Sequence, residues 1–125
     1  MNKIEPQYVT FEIAKLLKEK DFNEMCRVFW GYDCTEEKNI LIEENSPSFI
    51  NNRENNNLAA PEIWQVVEWL RLKHNIDVHH VIIAASHYGY NIFQNRTRKH
   101  KEEGYFLTPK EAYLAAIDYI LKELI

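Results

Sequence analysis

The spacing of apolar residues switches between a helical period and a strand period along the chain, and this pattern most constrains the fold. Apolar residues recur at helical spacing after Thr10, a suitable N-cap, which predicts a first helix. From Met25 the period shortens to two, which predicts a strand. A polar connection at 35–39 and a short apolar run at 40–42 follow, so we expect an antiparallel hairpin.

The same switch of period occurs again in the second half of the chain. A second helix is predicted from Pro61, which suits the first helical turn, to the neighbourhood of His74. The run at 76–85 is the most apolar strand candidate, and it predicts a central strand that is covered on both faces. Residues 90–93 predict the strand that returns beside it.

The last helix has the clearest start, because TPKE at 108–111 is a capping box with proline at the first helical position. The polar segments 45–57 and 95–104 predict two long surface loops. The resulting order, α-β-β-α-β-β-α, predicts an α+β fold with an antiparallel sheet of about four strands in two hairpins and three helices. A chain of 125 residues, 46% of them hydrophobic, predicts a single domain over 1–125.

Composition narrows the classes of function. A formal net charge of −4 argues against a protein that binds nucleic acid over its whole surface. No apolar run approaches the roughly 18 residues of a membrane span, and the N-terminal residues lack a secretion signal, so we expect a cytoplasmic protein without a membrane partner. The three glycines lie far apart in sequence, so a glycine-rich phosphate loop is excluded and no cofactor is expected.

Five histidines and two cysteines raise the hypothesis of a metal site. Cys26 and Cys34 would lie about 26 Å apart on one extended strand, at about 3.3 Å per residue. His79 and His80 are adjacent and would point to opposite faces of a strand. The spacing therefore predicts neither a metal site nor a disulfide.

A nucleophilic enzyme is a third-ranked hypothesis. Cys34 is the more accessible thiol, and Ser86 is followed directly by His87. Catalytic partners converge through the fold and are rarely adjacent in sequence, and Ser86 lacks the glycines of a hydrolase nucleophile turn. We therefore predict no catalytic residue.

A cluster of basic residues at 96–101 supports a second hypothesis, an accessory protein that binds nucleic acid through a loop. Tyr105 or Phe106 nearby could stack on a base. The alternative is a solvated loop, because two glutamates follow the cluster directly. The four cations are Arg96, Arg98, Lys99 and Lys101.

Trp64 and Trp69 give the leading hypothesis. They lie five positions apart on the second helix, so they widen its apolar surface beyond one stripe. Aromatic residues are favoured at the centres of interfaces. We therefore predict a non-catalytic interaction module that forms a homodimer or binds another protein through this surface. The alternative is core packing against the sheet.

Three segments carry a resemblance to a known group of proteins. They are YVTFEIA at 8–14, APEIWQVVEWLR at 60–71 and TPKEA at 108–112. Together they resemble small uncharacterised proteins encoded by bacterial phages and mobile elements. The resemblance implies a short α+β domain with an accessory role, and it implies no catalytic residue.

Overall fold

The computed structural model describes residues 6–43, 58–85 and 87–125, and no side chain is described at 103–105. Its order of elements, α-β-β-α-β-β-β-α, confirms the predicted α+β class. The described elements are α1 (Phe11–Glu19), β1 (Val28–Asp33), β2 (Lys38–Glu43), α2 (Ile63–His74), β3 (Ile76–Ala84), β4 (His87–Gln94), β5 (Thr97–Phe106) and α3 (Pro109–Glu123).

The chain divides into two compact units, Met1–Glu62 and Ile63–Ile125. The first contains α1 and the antiparallel pair β1-β2, and the second contains α2, α3 and a three-stranded sheet in the order β3-β4-β5. The two predicted hairpins therefore belong to two separate sheets. The single domain over 1–125 stays a prediction.

In the first unit, Thr10 is the N-cap of α1, as predicted, because its hydroxyl accepts a hydrogen bond from the Ile13 amide at 3.2 Å. Asp33 forms the turn between β1 and β2 by accepting bonds from the two amides that follow at 35 and 36. The indole N–H of Trp30 donates to the Val9 carbonyl at 3.3 Å. The buried apolar residues of this unit are Val9, Ile13, Ala14, Leu17, Phe22, Cys26, Val28, Ala59 and Ala60.

In the second unit, α3 contacts all three strands, and α2 contacts both β3 and α3. The predicted cap of α3 is confirmed, because the Glu111 amide donates to the Thr108 hydroxyl at 3.2 Å. The carboxylate of Glu111 accepts from the Leu107 amide at 2.9 Å, one residue earlier than a standard capping box would require. The largest fully buried side chains of this unit belong to Val66, Leu70, Ile76, Ile92, Ile117, Ile120 and Leu121.

The position of β3 differs from the prediction. The run at 76–85 predicts a central strand, but among the described residues β3 pairs only with β4 and lies at an edge of its sheet. A continuous apolar run indicates a strand without indicating what covers it. The predicted burial on both faces is therefore wrong for the second half of β3, where Ile82 and Ile83 are exposed.

The segment 95–104 also differs from the prediction, because most of it belongs to β5 and pairs with β4. Asn95 and Arg96 connect the two strands, with φ of 52° and 68°, which are the left-handed values of a tight hairpin turn. The side chain of Asn75 donates to that of Asn95 at 2.6 Å and anchors this turn. The predicted loop 45–57 lies outside the described residues.

Candidate functional site

The outer side of β3 is an edge of the sheet as the structure describes it. Ile76 and Val78, in its first half, are buried. In its second half Ile82 is 72% exposed and Ile83 is 47% exposed, although both are large apolar residues. Among the described residues no strand pairs with this side, so backbone N–H and C=O groups there are directed away from the sheet. We call Val81, Ile82, Ile83 and Ala84 the β3 edge.

A sheet edge of this kind has a defined binding chemistry. Its unpaired backbone groups can form hydrogen bonds with a second extended chain, and its alternating side chains select that chain. The register between β3 and β4 shifts between Ile82 and Ala84, which makes Ile83 the extra residue of a β-bulge. The straight part of the edge therefore ends at Ile82.

The outer face of α2 carries a second, smaller apolar surface. Trp64 is 61% exposed and Leu72 is 67% exposed, and their spacing of eight residues places them on one side of the helix. Glu68 and Arg71 lie between them and form an ion pair with a shortest distance of 2.7 Å. The hydrogen bond that the Arg71 side chain donates to Glu68 lowers the pKa of the Glu68 carboxyl. The surface is thus interrupted by charge.

The two tryptophans of the predicted interface do not share this surface. Trp69 is only 6% exposed and belongs to the buried side of α2 with Val66 and Leu70. Its ring meets that of His74 edge to face, with centroids 4.8 Å apart, and burial lowers the pKa of His74. Trp69 packs in the core, so the predicted interface retains Trp64 alone.

The basic cluster lies on a strand rather than on a loop. Arg96 is in the β4–β5 turn, and Arg98, Lys99 and Lys101 lie in β5. Arg98 is paired with Phe93 of β4, and the register then shifts so that Lys99 is the extra residue of a bulge. The four cations therefore have fixed places along one edge of the sheet.

Pairing registers divide the side chains of the sheet between its two faces. One face is directed toward α3 and includes Ile92, Tyr90 and Val78. The other, which we call the open face, contains two cross-strand rows, because directly paired residues share a face. The rows are Asp77-Phe93-Arg98 and His79-Asn91-Lys101. The rings of His79 and Phe93 meet at 6.0 Å, as expected for neighbours on one face.

Histidines and tyrosines form a layer between the sheet and α3. The His100 ring stacks on that of Tyr119, with centroids 4.0 Å apart and planes within 8° of parallel. Nδ1 of His80 lies 3.0 Å from the Tyr113 hydroxyl. Burial, followed by the negative charge of Glu102, raises the pKa of Tyr90 to about 12. Aromatic contacts of this kind attach β5 and β3 to the helix.

The residues of the enzyme hypothesis are distributed over both units of the chain. Cys34 is exposed in the first unit, whereas all five histidines belong to the second. Cys26 is buried, and its thiol donates to the Glu24 carbonyl at 3.6 Å. Ser86 lies outside the described residues. Neither cysteine therefore shares a unit with a histidine.

Within 6–43, 58–85 and 87–125, no three His, Cys, Asp or Glu side chains lie close enough together to hold a metal ion. No helix in those ranges has the length and apolar character needed to cross a bilayer.

The sequence analysis identified the apolar run 76–85 and the cations Arg98 and Lys101, but it missed the exposed position of the β3 edge and the open face. The pairing of β4 with β5 defines the open face, and it could have been found from Asn95, since asparagine tolerates left-handed turn positions. No protein-family model, curated protein sequence or solved structure shows significant similarity to the chain, so its relation to phage and mobile-element proteins stays a prediction.

Proposed function

We propose that this protein is a non-catalytic interaction module that associates with a second copy of itself through the β3 edge. The observation that carries the proposal is an exposed apolar half-strand at the end of a sheet, with Ile82 and Ile83 at its centre. Soluble proteins generally protect such edges with charge, proline or a covering segment. An edge left apolar is suited to a partner strand.

The partner that the sequence of β3 fits best is another β3. An antiparallel strand can pair with its own copy around a two-fold axis, so one strand supplies both halves of the contact. Residues 78–85 contain no Asp, Glu, Lys or Arg, so two copies can pair without like charges opposite each other. Antiparallel pairing that includes Ile82 would join two three-stranded sheets into one of six strands and bring Ile82 of both copies into the contact.

The expected effect of a substitution at Ile82 on dimer affinity follows from the apolar area that its side chain would bury. Burying an isoleucine side chain stabilises by about 1.5–3 kcal/mol, and a symmetric contact buries two copies of Ile82. Replacing both by lysine removes this contribution and places two cations in an apolar contact. We expect Ile82→Lys to raise the dimer dissociation constant by at least about 100-fold, since about 1.4 kcal/mol corresponds to tenfold.

Sedimentation velocity over a dilution series tests the proposal. The wild-type chain is expected to show a concentration-dependent dimer, and Ile82→Lys is expected to remain monomeric over the same range. Leu72→Lys is the matched control, because it places the same charge at a similarly exposed apolar residue away from the sheet. The control should dimerise like the wild type.

Two results would contradict the proposal. A wild-type chain that is monomeric at every concentration up to roughly millimolar would exclude self-association of any useful strength. A dimer that Leu72→Lys or Trp64→Ala abolishes and Ile82→Lys leaves intact would assign the contact to the outer face of α2 instead.

A further inference from the structure

We infer that the open face of the three-stranded sheet is a binding platform for single-stranded nucleic acid. The face is defined by the rows Asp77-Phe93-Arg98 and His79-Asn91-Lys101. It uses other side chains than the self-association at Ile82, so the two activities can be tested separately.

The first support is the distribution of charge. In sequence, the cations at 96–101 are followed directly by glutamates, which would weaken the attraction of a loop for phosphate. In the structure, strand alternation places the first of these glutamates, Glu102, on the other face of the sheet from Lys101. Lys101 is paired with Asn91 on the open face, whereas Glu102 is paired with Tyr90 on the face toward α3. Arg98 and Lys101 thus share one face, with Arg96 and Lys99 along its rim.

The second support is the set of side chains beside these cations. Phe93 is partly exposed and lies between Arg98 and Asp77 in its row, with the exposed ring of His79 against it. Planar rings on a sheet surface can stack on bases, while adjacent lysines and arginines contact the phosphates. Asn91, which lies between His79 and Lys101 in the second row, offers an amide that can hydrogen-bond to a base edge.

The same chemistry selects single strands over duplexes. A base can stack on Phe93 only if it is not already stacked and paired inside a helix. Asp77 lies at the far end of its row, two strands away from Arg98, so its carboxylate is separated from that cation. A backbone that runs along β5 would therefore direct its bases across β4.

Fluorescence anisotropy with labelled 20-mers of deoxythymidine and of uridine, at low salt, tests the platform. We expect binding by the wild-type chain and a loss of at least about tenfold in affinity for the double variant R98E/K101E. The double variant K73E/K110E is the matched control, because it reverses two exposed lysines of the same unit that lie on helices. The control should retain its affinity within about twofold.

A separate measurement tests whether bases stack on Phe93. Phe93→Ala should lower affinity by about tenfold while leaving the dependence on salt unchanged, because it removes a base contact and no phosphate contact. Arg98→Ala should instead reduce the slope of log affinity against log salt by about 0.7. His79→Ala provides a second stacking variant if Phe93→Ala unfolds, and circular dichroism verifies the fold of each.

Three outcomes would overturn the inference. They are the absence of binding at about 100 μM protein and low salt, equal weakening by R98E/K101E and K73E/K110E, and tighter binding to a duplex than to either single strand. The choice between the two 20-mers assigns DNA or RNA. Ile82→Lys should bind like the wild type, which keeps this result independent of self-association.

Discussion

The two edge strands of the three-stranded sheet differ in the character of their side chains. β5 is a polar strand with Arg98, Lys99 and Lys101, and its register shifts twice against β4. β3 has no charged side chain after Asp77, and Ile82 is among its most exposed residues. Charged side chains on an edge strand help soluble proteins keep sheet edges from pairing with other chains. Both edges also contain a bulge, at Ile83 in β3 and at Lys99 in β5, so the charges are what distinguish them.

The comparison shows where the chain is open to pairing with another strand. Both edges pair with β4, so they share one scaffold and differ mainly in their side chains. β5 is protected against strand addition and instead presents cations. In β3, Ile82 and Ile83 are exposed. We therefore assign strand pairing to β3 and contacts with a charged ligand to β5.

The largest expected effect comes from the strand between the two edges. Ile92 of β4 is fully buried, so Ile92→Ala should lower the free energy of unfolding by about 2–5 kcal/mol through lost burial and a residual cavity. Ile82→Ala removes the same atoms from the β3 edge. Because that side chain is mostly exposed, its cost should stay within about 0.5 kcal/mol. Urea denaturation at dilute protein concentration measures both.

The matched pair of isoleucines makes the contrast testable. If Ile82→Ala costs as much as Ile92→Ala in the dilute monomer, the β3 edge is covered in solution and the difference between the two edges disappears. A cost for Ile82→Ala that appears only at high protein concentration would instead measure the dimer contact.

A second prediction concerns the attachment of β5 to the helix face, where Tyr90 is paired with Glu102. The pKa of Tyr90 is raised to about 12, chiefly by burial. Below about pH 10 the tyrosine is protonated in both the folded and the unfolded chain. Between about pH 10 and pH 12 the unfolded chain releases this proton and the folded chain retains it, so the free energy of unfolding should fall as pH rises through that window.

The variant Tyr90→Phe isolates the effect of tyrosine ionisation on the free energy of unfolding. Urea denaturation at about pH 9 and about pH 11 should show a smaller loss of stability for Tyr90→Phe than for the wild-type chain, because the substituted ring cannot ionise. An equal loss in the two proteins would mean that Tyr90 titrates alike in the folded and unfolded chains.

Much of the fold could be predicted because its signals are local. Thr10 and Thr108 are N-caps in the sequence and in the structure, since a capping hydroxyl bonds to an amide only three residues away. The strand β5 escaped prediction because its polar residues give no apolar period. The edge position of β3 escaped prediction because it depends on which strands pair, which an apolar run such as 81–85 does not record.

The candidate surfaces were predictable in part. Trp64 and Trp69 differ by five residues, or about 140° around a helix at 100° per residue, so they cannot both face outward. Trp69 follows Val66 by three positions, which placed it on the buried side of α2. Arg98 and Lys101 were identified from their charge, but their common face required the register of β5. Local spacing thus identified the residues, and strand pairing determined which of them lie together.

The smallest expected effect tests the turn that leads into β5. Arg96 adopts a φ of 68°, which costs an L-residue other than glycine roughly 1 kcal/mol or more. Arg96→Gly should therefore stabilise the fold by about 0.5–1 kcal/mol, after allowance for the greater freedom of glycine in the unfolded chain. Arg98→Gly removes the same side chain from an extended position and should destabilise by a similar amount. Thermal unfolding of both variants should give shifts of opposite sign, and shifts in the same direction would mean that residues 95–96 do not form the tight turn that sets the register of the charged edge.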